Sequence, residues 1–235
     1  MVSPEKIDPL PPTDLARVAT LSLDRKYQVL SVAKSGWPPF NYRPLKSNVD
    51  DILNVNGGMF PDADRTPWPI VRRNIRKACR RSKAERVANV QAAWGLHNYA
   101  VENHISGQRH VFRPLLIAGR DITFWSNMFL RIDGRLYVPF FDPRRTKGLT
   151  PADPMRFVFS AMHEHIRAPE PDFKDLGFVI FRFADTSQGP RVPVPFFDHE
   201  FKLFSFEELD RMVRETYETL AKVFADRAAA AKKAS

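Results

Sequence analysis

Asn127, Asp142 and Arg144 are the residues whose types and spacing best suit chemistry. They lie in residues 123–150, TFWSNMFLRIDGRLYVPFFDPRRTKGLT, on either side of an Asp133-Gly134 pair. That dipeptide suits a two-residue type I′ turn, because both central residues need positive φ. The flanks are rich in aromatic, β-branched and long apolar residues and read as strands. Pairing Ile132 with Arg135 sets a register that puts Asp142 opposite Trp125 and Phe140 opposite Asn127. Because side chains alternate along a strand, Val138, Phe140 and Asp142 then share a face with Trp125, Asn127 and Phe129. One polar group stands on each strand, and Arg144 follows just beyond Asp142. Hard oxygen ligands and a guanidinium suit metal-assisted phosphodiester hydrolysis. In that chemistry Mg²⁺ polarises the phosphate and activates a water, and the cation stabilises the charge of the transition state.

The elements that must position these groups can be read along the chain. With 235 residues, 43% hydrophobic and 27% charged, it has the make-up of an ordinary soluble domain with extensions. No apolar run reaches the roughly 18 residues a membrane helix needs, and residues 1–14 lack an apolar signal core. A cytoplasmic protein without a membrane partner is therefore expected. The single cysteine, Cys79, excludes an internal disulfide and a cysteine-based zinc site. A formal charge of +9 favours a polyanionic partner, nucleic acid and DNA above all.

Residues 1–67 are proline-rich and weakly periodic, an irregular extension laid over the core, with one short strand at residues 27–33. Pro61-Asp62 reads as a turn. A helix starting at Pro69 fans Arg72, Arg73, Arg76, Lys77, Arg80 and Arg81 over one half of its surface and Val71, Ile75 and Ala78 over the other. With Arg145, these cations are the candidate nucleic-acid contacts. Their plain alternative is a solvated helix face. Ser82 to Glu85 has capping-box form and opens a second helix, whose buried stripe is read as Val87, Val90, Trp94 and Val101, with His97 beside it and Glu102 at its edge. A strand over residues 109–118, the hairpin, a helix over 154–166 and a buried strand over 177–183 follow. A last capping box at Ser205 to Glu208 opens the C-terminal helix.

Residues 82–183 thus run helix, strand, strand, strand, helix, strand. This order, with a central hairpin, resembles the core of the PD-(D/E)XK (restriction-endonuclease-like) nuclease superfamily. The resemblance implies an α/β (α+β) fold with a central mixed sheet of about four strands in the core order α-β-β-β-α-β. The core would span residues 68–184, preceded by the 1–67 extension and followed by a C-terminal extension at 185–235. It also implies that Asn127 stands for the first acidic ligand, Asp142-Pro143-Arg144 for D-x-K, and Glu102 for the helix glutamate. Asp142 and Glu102 would then hold Mg²⁺, with Arg156 or His163 near the phosphate.

Two departures bear on that reading. Asn127 withholds a negative charge, and Arg144 cannot act as a base because guanidinium stays protonated. A structural reading of the same stretch has Asp142 end a strand, pair with an arginine and cap the following turn. The expectation is a nucleic-acid-processing protein, and if an enzyme, a metal-dependent endo- or exonuclease. The alternative is a catalytically inactive subunit on the same scaffold that binds DNA or another protein.

Overall fold

The computed structural model describes residues 7–32, 41–56, 65–150, 152–186 and 189–233. The Pro61-Asp62 turn lies outside them. Eight helices are present among these residues: α1 (Pro12–Ala19), α2 (Leu23–Ser31), α3 (Arg43–Lys46), α4 (Val49–Leu53), α5 (Trp68–Ala78), α6 (Lys83–Glu102), α7 (Ala152–Met162) and α8 (Phe206–Lys233). The strands are β1 (Val55–Asn56), β2 (Ser106–Arg109), β3 (Leu115–Ile117), β4 (Arg120–Ile122), β5 (Met128–Ile132), β6 (Arg135–Asp142), β7 (Gly177–Ala184) and β8 (Val192–Phe197). Six of them form one mixed sheet in the order β1-β2-β5-β6-β7-β8, and β3 pairs with β4 in a separate ribbon.

The sheet is covered on both faces. Alternation along β6 and β7 sends Val138, Phe140, Phe178 and Ile180 into a core shared with α1, α7 and α8. Phe141, Val179 and Phe181 point the other way, into a core shared with α4, α5 and α6. A strand buried on both faces has no polar alternation, which accounts for the unbroken apolar run of β7. β6 and β7 run parallel, and α7 provides the crossover between them. The predicted mixed α+β fold and its C-terminal helix are present, with a central sheet of six strands where about four were expected.

Several local readings change. The N-terminal region is helical among its described residues: of the strand expected over residues 27–33, residues 27–31 belong to α2 and residue 33 lies outside the described residues, with Lys26 fully buried against α8. A short apolar run carries too little periodicity to separate strand from helix. The strand expected over 109–118 is split, because β2 stops at Arg109 and Pro114 precedes the β3–β4 ribbon. Arg80 and Arg81 lie beyond the end of α5, and the Glu85 carboxylate accepts their backbone N–H groups at 3.1 and 2.9 Å.

Of the apolar stripe predicted to bury α6, only Val90 packs against the core. Ala88, Ala92, Ala93, Leu96 and Ala100 face the core, whereas Val87, Trp94 and Val101 are 45%, 38% and 46% exposed. The small side chains let the helix approach the sheet. A Cβ on Gly95 would stand 1.6 Å from the Arg191 carbonyl oxygen, so only glycine fits at that crossing.

Candidate functional site

The hairpin turns as expected. Asp133 and Gly134 have φ of 48° and 79°, and Ile132 pairs with Arg135. The ladder holds as far as Leu130 and Tyr137. In the same register Met128 would next accept a hydrogen bond from residue 139, but Pro139 has no N–H to give. Instead the Ser126 N–H donates to the Pro139 carbonyl at 2.8 Å, two residues out of step with the hairpin. The slip breaks the predicted diagonal between Asn127 and Asp142. Asn127 is exposed, its amide oxygen accepting the Phe112 N–H at 3.2 Å and its carbonyl the His110 N–H at 3.1 Å.

Asp142 lies at the far end of β6, 1% exposed. Its Oδ2 accepts the Leu149 N–H at 2.6 Å and closes the loop that follows the strand. Burial holds its carboxyl above the usual range, outweighing the Leu149 bond and the Arg144 and Arg182 charges that oppose the shift. Arg144 turns away to α1, where its two terminal nitrogens reach the Asp14 carboxylate at 2.6 and 3.2 Å. Glu102 ends α6 on the surface, just before β2, whose Ser106 pairs with Arg131 near the hairpin tip. Asp142 lies seven residues beyond Arg135 along β6, roughly 23 Å from that tip. The structure therefore brings Asp142 near Arg144 in the chain but unites neither with Asn127 or Glu102. Among the described residues no cluster of three His, Cys, Asp or Glu could hold a metal ion.

The other polar candidates serve the fold. The Arg156 guanidinium lies 3.5 Å over the Phe204 ring. Arg167 donates to His163 Nδ1 at 3.0 Å and to Asp198 at 2.7 Å. His97 is buried beside the Trp68 ring, and burial lowers its pKa. Arg145 bridges Gln91 and Asp185 at 3.0 and 3.2 Å.

A residue with no sequence signal does more to organise this end of the sheet. Arg191, 2% exposed, donates to the Phe183 carbonyl at 2.6 Å, the Asp185 carboxylate at 2.7 Å and the Pro143 carbonyl. Its backbone N–H donates to Gln91 of α6 at 3.2 Å. One side chain thus ties together the ends of β6 and β7. Nothing in the Gly189-Pro190-Arg191 context marks it.

The α5–α6 pair forms a second notable surface. The Trp68 and Trp94 rings stack at 6.3 Å, and the Arg80 and Arg81 amides meet Glu85 at the opposite end, so the helices run antiparallel. Arg72, Arg73, Arg76, Lys77 and Arg80 are exposed and make no ion pair among the described residues. No helix of the described residues is long and apolar enough to cross a membrane.

Comparison with known proteins overturns the nuclease resemblance. A family model described as "Sliding clamp-binding bacterial toxin SocB" matches residues 13–230. A curated relative, the DNA replication inhibitor toxin SocB of Caulobacter vibrioides, is 31% identical over 227 residues, covering 95% of this chain and 93% of the relative. No solved structure matches. The match runs through all of the helix–strand order on which the PD-(D/E)XK reading rested, so neither that family nor Mg²⁺-dependent nuclease activity stands. The main sheet keeps the expected order α6-β2-β5-β6-α7-β7, with the β3–β4 ribbon inserted in it, but unrelated functions share such orders. The partner named for the family is a protein, which supports the protein-binding alternative and leaves the expected DNA partner without support.

Proposed function

Because this chain belongs to the SocB family of sliding clamp-binding bacterial toxins, we propose that it binds the sliding clamp and thereby inhibits DNA replication. The observation that carries this reading is the extent of the match: both the family model and the curated relative run through nearly the whole chain. Inhibition by occupying a partner needs no catalytic centre. The engagement of Asp142 by its own loop and of Arg144 by Asp14 agrees with that. Such an inhibitor acts where the chromosome is copied, in the cytoplasm.

The test is a primer-extension reaction that depends on the clamp. Adding the purified chain should halt synthesis, and excess free clamp should restore it. Undiminished synthesis at saturating chain, or equal inhibition of a clamp-independent reaction, contradicts the proposal.

A further inference from the structure

Asp142 and Arg182 stand side by side where β6 and β7 end, as partners in the parallel ladder. Alternation puts both side chains on the sheet face of Phe140 and Ile180. A carboxyl and a guanidinium so placed would ordinarily pair, yet no ion pair joins them. Instead each keeps a buried atom without a hydrogen-bond partner, Oδ1 of Asp142 and Nε of Arg182. Asp142 as a whole is 1% exposed. Buried polar atoms are normally satisfied, so two orphans in adjacent register positions point to a partner from outside the chain.

A second free cation reaches the same carboxyl. Lys46 of α3, exposed as a residue, lays its ammonium 5.5 Å over the Phe140 ring. The protein packed round that ammonium lowers its pKa, with Asp142 opposing the shift and Arg144 adding to it. The neighbouring charges are otherwise taken: Arg144 pairs with Asp14, and Arg145 and Arg191 share Asp185. Lys46 and Arg182 remain without an ion pair among the described residues. The Gly148 backbone lies against the same groups, since a Cβ there would stand 2.7 Å from Asp142 Oδ2 and 3.6 Å from Arg182 Nη2.

The chemistry of the three groups selects the ligand. Guanidinium and ammonium only donate, and burial favours the neutral form of Asp142, which adds an O–H donor. A water would satisfy Oδ1 and Nε but leave both cations uncompensated. A carboxylate would compensate one of them. A phosphate group brings about two negative charges and several acceptor oxygens, and suits an arginine fork beside a lysine point charge. The carboxyl ends of parallel strands are also where open α/β sheets place ligands. Arg182 is half-buried, which suits a small anion better than a polymer lying across the surface. We propose that the ends of β6 and β7 form a binding site for a small phosphate-type oxyanion, gripped by Arg182 and Lys46 with Asp142 between them.

Calorimetric titration of the full chain with inorganic phosphate, pyrophosphate and dATP tests this. Saturable one-to-one binding of at least one of them is expected. Similar affinity for pyrophosphate and dATP identifies a bare oxyanion as the ligand, and a preference for dATP identifies a nucleotide. Arg182→Gln and Lys46→Gln, each checked for an unchanged thermal unfolding transition, should weaken that binding about tenfold or more. Lys46→Gln, at an exposed position, is the safeguard should Arg182→Gln fail to fold. Lys174→Gln, exposed just before β7 and so at its other end, is the control and should bind as the wild type does. No saturable binding of any of the three anions overturns the proposal. So does binding undiminished in the folded variants, or weakened as much by Lys174→Gln, which marks a diffuse effect of charge.

Discussion

Asp142 and Leu149 are joined by a 2.6 Å hydrogen bond from the leucine N–H to the carboxylate, which folds the 143–148 loop back onto the end of its own strand. The carboxylate is buried, its other oxygen has no partner, and its pKa is raised chiefly by that burial. These properties make it a structural fastener that is costly to ionise.

Asp142→Ala should destabilise the chain by about 1–3 kcal/mol, because the Leu149 N–H is left buried without an acceptor. Asp142→Asn retains an acceptor and should cost less. The native carboxyl binds its proton more tightly folded than unfolded. Its contribution is therefore fully present below the ordinary aspartate pKa and is lost as pH rises through the raised folded value. Urea unfolding from mildly acidic to neutral pH should show that decline in the wild type and its absence in Asp142→Asn.

Lys26 is completely buried between α2 and α8 and donates to Glu215 at 2.7 Å. That hydrogen bond is the main reason the Glu215 pKa is depressed. Its contribution is present above the ordinary glutamate pKa and is lost as pH falls through the depressed folded value. Glu215→Gln should lower stability by about 1.5–3 kcal/mol at neutral pH and remove this acid limb. Denaturant unfolding at matched pH values provides the check.

Gly95→Ala should be severe for a surface helix. The added methyl would sit 1.6 Å from the Arg191 carbonyl oxygen, so α6 would have to lift from the segment that leads into β8. Thermal unfolding should show a loss at or above the about 1–3 kcal/mol typical of overpacking. The nearby Gln91→Ala, which removes a half-buried side chain and its exposed hydrogen bond from Arg145 but leaves the backbone crossing intact, should change the transition much less.

Regular elements were legible wherever local chemistry decides them. Asp133-Gly134 fixed a turn, and Ser205 with Glu208 exchange hydrogen bonds of 3.3 and 2.8 Å as a capping box should. The α-β-β-β-α-β order followed from such signals. The errors arose where tertiary context decides. Pro139 broke a register that extrapolation from the turn had carried too far. On α6 the larger side chains were assigned inward, but Ala92, Ala93 and Gly95 permit a closer approach and so take the buried face. Arg191 could not be anticipated, because its acceptors, the Tyr42 hydroxyl, the Pro143 carbonyl and the Phe183–Asp185 end of β7, come from three separated stretches of chain. The family could not be read from element order, which many unrelated proteins share.

Direct association with the sliding clamp is the most telling measurement. Calorimetric titration of the purified chain into purified clamp should give saturable binding that weakens with added salt. No heat and no co-migration on size exclusion at micromolar concentrations of both proteins would contradict the account.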